Sequence, residues 1–86
     1  MAQVTLLYFA RVREALGLSE ERRDLPDGVA TVRDLMAWLG GLDNRYGEVF
    51  ADPAKLRCAI DQVITPLDAP LDGVQEIAFF PPVTGG

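Results

Sequence analysis

One group in this chain is placed for covalent chemistry: the terminal α-carboxylate of Gly86, which closes the run Phe79-Phe80-Pro81-Pro82-Val83-Thr84-Gly85-Gly86. A carboxylate is a poor electrophile until it is activated. A partner enzyme that adenylates it lets it exchange oxygen for sulfur or for an amine. Pro81 and Pro82 donate no ladder hydrogen bond, so they end the apolar strand before them and favour an extended path. From Pro81 to Gly86 such a tail reaches roughly 20 Å, at about 3.3 Å per residue. Its tip carries no side chains, so the carboxylate sits at the end of a thin probe.

The other residue types supply little chemistry. The chain has no histidine, which rules out Ser-His-Asp and Cys-His catalysis and His-based zinc sites within it. Cys58, the single cysteine, falls on the inward parity of a strand, where a thiol is inert. The carboxylates are spread over turns and exposed faces. Asp24, Asp27 and Asp34 read as a solvated turn and a helix cap, so no metal site is expected. No Gly-x-Gly-x-x-Gly or P-loop pattern occurs. The expectation is a chain with no catalytic side chains, which lends its terminus to another protein's active site.

The elements that must position the tail can be read in order. Val4-Thr5-Leu6-Leu7-Tyr8-Phe9-Ala10 is apolar on both parities, as a central strand is. Arg11 to Leu16 makes a short helical turn capped by Gly17. Glu21 to Leu25 reads as a charged edge strand, and Pro26-Asp27-Gly28 as a turn. Thr31-Val32-Arg33-Asp34 is a variant capping box, and Val32, Leu35, Met36 and Leu39 then form one apolar helical face, with Trp38 off the stripe. Gly40-Gly41 stops that helix. Leu42 to Asp52 lacks a strong period and reads as loop and short turns with room for more helix. Leu56, Cys58 and Ile60 alternate on one strand face, Asp61-Gln62 turns, and Val63-Ile64-Thr65 returns. Thr65 to Gly73 is loop, and Val74 to Phe80 is the last strand. One helix covers one face of a small mixed sheet, an α+β arrangement.

At 86 residues this is one domain, 1–80, with a tail at 81–86. An apolar fraction of 49% is that of a folded globular chain. The net charge of −5 argues against nucleic acid, which is bound by neutralising phosphates with Lys and Arg. The lone cysteine, with no signal peptide and no membrane-length apolar run, points to the cytoplasm.

The segment Glu76 to Gly86, with Asp72-Gly73 ahead of it, resembles the end of the molybdopterin synthase small-subunit family, the ubiquitin-like sulfur carriers. Tyr8-Phe9-Ala10-Arg11-Val12-Arg13-Glu14 matches the family's opening strand and turn, and the middle fits in layout. The family pattern has Asn where this chain has Asp61. The resemblance implies a β-grasp: a mixed five-stranded sheet, one main helix on one face, first and last strands central, and an extended C-terminal tail. It further implies that an adenylating and sulfurating enzyme, using ATP and Mg²⁺, turns Gly86 into a thiocarboxylate. No cofactor is bound by the chain itself. Pro81, Pro82, Val83, Thr84, Gly85 and Gly86 then enter the large synthase subunit, in a 2+2 heterotetramer, and sulfur passes to cyclic pyranopterin monophosphate. Parity places Phe9, Ile64 and Phe80 in an exposed apolar patch by the tail root, a partner surface. Three other readings stay open: a sulfur carrier for thiazole synthesis, a modifier joined to lysines through Gly86, and a β-grasp binding module.

Overall fold

Val4, Leu6 and Tyr8 alternate along β1 (Ala2–Tyr8) and are buried, while Leu7 on the other face is half-buried. That two-sided burial makes β1 a central strand. In the computed structural model, which describes residues 2–82, it lies between β2 (Glu20–Leu25), antiparallel, and β5 (Glu76–Phe80), parallel. Strands β3 (Arg57–Ile60) and β4 (Val63–Thr65) complete a five-stranded sheet ordered β2-β1-β5-β3-β4. The last strand is two residues shorter than Val74 to Phe80, because Val74 N–H turns back to the Leu71 carbonyl.

Helix α1 (Ala10–Leu16) ends at Gly17, whose φ of 77° needs a residue free to enter the left-handed region. Helix α2 (Val32–Gly40) has the expected capping box: Thr31 accepts from Asp34 N–H and the Asp34 carboxylate accepts from Thr31 N–H. Val32, Leu35, Met36 and Leu39 are buried, and Trp38 is half-buried. The 66–75 loop crosses the start of α2, and the Ala69 and Leu67 carbonyls accept from Val32 and Arg33 N–H. Donors that a helix start leaves unpaired are thereby satisfied.

Leu42 to Asp52 is more ordered than its pattern suggests. It holds a seven-residue helix, α3 (Asn44–Phe50), capped by the Asp43 carboxylate on Arg45 and Tyr46 N–H, and is followed by a 3₁₀ turn at Pro53–Lys55. Tyr46 and Phe50 are its buried contacts. A Cβ at Gly47 would stand 3.2 Å from the Gly40 carbonyl, so glycine there lets α3 close onto the end of α2. The β3–β4 turn uses Asp61 and Gln62 at φ 47° and 76°, the left-handed pair a two-residue hairpin requires. Asp61 also holds β5, donating its N–H to the Glu76 carbonyl and accepting Glu76 N–H on its carboxylate.

The core joins the two central strands to the helices. Leu6, Tyr8, Ile77 and Phe79 are fully buried. The Phe79 ring stacks on Tyr8 at 6.4 Å and meets Phe50 edge-on at 5.1 Å. Each such side chain contributes about 1.5–3 kcal/mol through burial.

A polar network seals the β2 side, where a solvated row of charges is expected. Glu21 turns inward, and one of its oxygens accepts from Tyr8 at 2.7 Å and Tyr46 at 2.6 Å. Its other oxygen lies 3.0 Å from Arg23 Nε, an ion pair too bent to count as a hydrogen bond. The Arg23 guanidinium lies 5.4 Å from the Tyr46 ring and 5.9 Å from the Trp38 ring. Burial, then hydrogen bonding to Glu21, raises both phenols above the ordinary tyrosine range.

Tyr46→Phe removes one donor from that carboxylate and should lower the unfolding free energy at pH 7 by about 1.5–3 kcal/mol in urea titrations. Arg22→Ala, on the exposed parity, should stay within about 0.5 kcal/mol. Both tyrosines of the chain titrate higher when folded. Their contribution is therefore complete below about pH 10 and is lost as pH rises beyond it, when the unfolded chain ionises. The alkaline fall in stability should be shallower in Tyr46→Phe by one tyrosine's share.

Candidate functional site at the tail root

The site is built where β5 runs out. Phe79 points into the core, Phe80 is half-buried opposite Arg57, and Pro81 and Pro82 follow, half-buried and outside any strand or helix. Val83, Thr84, Gly85 and Gly86, the rest of the expected tail, lie outside the described residues.

The sheet face away from the helices carries the expected partner residues. Ile64 is 72% exposed and Phe9 47%, whereas Phe80 is only half-buried. Strand register sets their relation. Leu7, Ala78, Ala59 and Ile64 form one cross-strand row, and Phe80 and Arg57 stand in the next. Phe9 joins at the β1 end, its N–H donating to the Phe79 carbonyl at 3.2 Å. Ile64 and Phe80 are separated by β3, and Ala59 and Ala78 leave a shallow floor between them, about two strand spacings or 10 Å wide. Ala59 and Arg57 belong to this face by the alternation that turns Leu56 and Cys58 inward, a signal present in the sequence. Phe9 sits before Ala10, whose φ of 51° is unusual for a residue with a Cβ. The turn presenting Phe9 is thus held in place by its hydrogen bonds: Val12 and Arg13 N–H both donate to the Phe9 carbonyl.

On the opposite side of β5, a groove of about 620 Å³ opens among α1, α3 and the 3₁₀ turn, with Pro81 and Pro82 in its wall.

Cys58 is sealed from solvent and donates its S–H to the Thr65 carbonyl at 3.2 Å. Burial raises its thiol, an effect the Thr65 contact partly offsets. Neither its access nor its charge state suits a nucleophile at neutral pH. Among the described residues, no three His, Cys, Asp or Glu side chains gather as a metal-holding group, and no helix is long and apolar enough to cross a membrane. What the described residues offer is a surface and an exit path.

Phe80→Ala should weaken binding to a protein that takes up the tail by about 1–3 kcal/mol, read by calorimetry, with an unchanged far-ultraviolet spectrum. Unaltered affinity would remove the open face as the partner surface.

Comparison with known proteins places this geometry. The ThiS family model matches residues 6–86. The molybdopterin synthase sulfur carrier subunit of Escherichia coli (strain K12) is 38% identical over 85 residues, covering 96% of this chain and 99% of that protein. The protein so named from Haemophilus influenzae is 35% identical over 83 residues, covering 96% of this chain and 99% of its own length. Among solved structures, SAMP1 from Haloferax volcanii superposes with a TM-score of 0.74 at 29% identity, covering 99% of this chain and all of that one. A putative molybdopterin converting factor, subunit 1, from Pyrococcus furiosus gives 0.70 at 26% identity, covering 96% of this chain and all of that one. The sheet order and crossing helix are those of the β-grasp, as in these neighbours.

Proposed function

The chain belongs to the ThiS family, with the molybdopterin synthase sulfur carrier subunits as relatives, and we propose that it carries sulfur on the C-terminal carbonyl of Gly86. One observation carries the reading. The central strand β5 leads straight into Pro81-Pro82, beside an open apolar face, in a chain whose sole thiol is sealed.

The steps balance as follows. A Gly86 carboxylate oxygen attacks the α-phosphate of ATP on a separate Mg²⁺-dependent activating enzyme, and pyrophosphate leaves. Hydrosulfide from the sulfur donor attacks the acyl carbon and AMP leaves, giving the thiocarboxylate and a proton. The tail, Pro81 to Gly86, enters the large synthase subunit, where the thiocarboxylate sulfur bonds to an oxygen-bearing carbon of cyclic pyranopterin monophosphate as that carbon's C–O bond breaks and the oxygen leaves, protonated as water or as the opened phosphate ester. Water then cleaves the acyl–sulfur bond and restores the carboxylate, leaving sulfur on the way to the molybdopterin dithiolene.

This chain contributes position. Tethering the sulfur replaces a bimolecular encounter with a near-unimolecular one. The proline pair reduces the freedom lost on docking, and Gly85 and Gly86 let the backbone pass where a side chain would jam. Phe9, Ile64 and Phe80 hold the partner, and two large and two small subunits form the working assembly.

The test is intact mass after incubation with the activating enzyme, ATP and a sulfur donor, followed by pterin conversion with the large subunit. Wild type should show one oxygen replaced by sulfur, and Cys58→Ala should match it. Deleting Gly86, or adding one residue after it, shifts the carboxylate by about 3.5 Å, beyond the roughly 0.5 Å tolerance of a catalytic arrangement. Both variants should fold and fail to transfer sulfur. Normal molybdopterin formation by the deletion variant would sink the mechanism. The likeness to SAMP1, which is also described as a small archaeal modifier protein, favours a second reading in which Gly86 is joined to lysines. Lysine-linked conjugates in a lysate, without sulfur transfer, would establish that one instead.

A further inference from the structure

The groove behind the tail root is built unlike the open sheet face. Val12 and Leu56 form a buried apolar floor with half-buried Val49, and the small side chains of Ala10, Ala15 and Ala54 leave the space. Two cations stand on separate elements of its rim, Arg11 on α1 and Lys55 on the 3₁₀ turn, with Glu48 on α3 the one acid.

Charge here runs against the chain as a whole, which carries 13 acidic and 8 basic side chains. Among the described residues, ion pairs occupy Arg23, Arg33 and Arg45. Arg11 and Lys55 are in none of them, and nor are Arg13, further along α1, and Arg57, which faces Phe80 across the strand pair. Of the five cations outside those pairs, Arg22 lies on the edge strand β2, while Arg11, Arg13, Lys55 and Arg57 lie on the elements around the point where the chain leaves the fold. A floor that takes an apolar side chain, rimmed by exposed cations, is complementary to an apolar residue flanked by carboxylates.

We propose that the groove is a second docking site for the protein that takes up the tail, and that it receives a segment of that partner bearing an apolar anchor between acidic side chains. Pro81 and Pro82 form part of the groove wall, so a partner that holds the tail lies across its mouth. The two contacts divide the work. On one side of β5 the sheet face presents apolar residues with Arg57 beside Phe80, and on the other the cationic rim of the groove orients the approach. The proposal rests on the reading that a partner receives the tail, though not on the sulfur chemistry.

Lys55 is the only lysine in the chain and makes the idea directly testable. In the complex of the full chain with the large synthase subunit of its own organism, a water-soluble carbodiimide should join Lys55 Nζ to a partner carboxylate. The amide forms as the reagent takes up water to become a urea, and peptide mass mapping reads the link. Calorimetry then compares wild type with the Arg11→Glu/Lys55→Glu double variant, whose two positions are exposed. Affinity should fall at least about tenfold at about 50 mM salt, and the deficit should shrink at least about threefold at about 500 mM, where the charges are screened. Ala15→Leu, which fills the groove without changing charge, should weaken binding equally at both salt concentrations.

No Lys55 cross-link to the partner, or a smaller or salt-independent effect of the charge reversal, overturns the proposal. If wild type itself fails to bind the large subunit, the reading beneath it falls as well. If wild type binds and the groove variants bind alike, the groove alone is wrong.

Discussion

The pairing on which this molecule depends is the parallel register of β1 and β5. Four cross-strand pairs, from Thr5↔Glu76 to Tyr8↔Phe79, bring the two ends of the chain together at the centre of the sheet. Parallel strands cannot be joined by a short turn, so the chain between them must cross over. Here that stretch supplies everything else: β2 to flank β1, α1, α2 and α3 to cover one face, and the β3–β4 hairpin to flank β5. The pairing also decides where the working end emerges. Because β5 is central, Pro81 leaves with the open sheet face on one side and the groove on the other.

The polar network of Glu21, Tyr8, Tyr46 and Arg23 serves the same geometry from the far edge. It ties β2 to β1 through Tyr8 and to α3 through Tyr46. An inward carboxylate in a small core is costly unless its oxygens are satisfied. Two phenols and a guanidinium meet that need, and the aromatic rings around Arg23 shield it from competing water. This edge is fixed by directional contacts, whereas the tail side relies on apolar burial.

Much of this was legible in the residues. Apolar positions on both parities of β1, the proline pair after Phe80 and the Thr31–Asp34 box announced the central strands, the exit and α2. Asp61 held the turn expected of it, and gained a second role on Glu76 that no spacing rule foretells. The stretch from Leu42 to Asp52 left room for helix, but the bounds of α3 were not legible, because seven residues with a glycine at position 47 give too short a period. The reason for that glycine, a close approach to Gly40, exists only in three dimensions. Glu21 misled for a related cause. A charged residue on an edge strand ordinarily faces water, and only Tyr46, in a stretch read as loop and short turns with room for more helix, reveals its partner. The face of the site followed from parity, while the groove, assembled from four separate segments, has no linear signature.

The placement of β5 has a mechanical side. A strand held by four pairs to β1 and four to β3 is anchored along both of its edges. Tension on the tail runs along the strand axis, so it loads those hydrogen bonds in parallel as shear. An edge strand such as β4 would instead be peeled away one rung at a time. On the proposed reading, a partner pulling on the tail would load a strand paired along both of its edges.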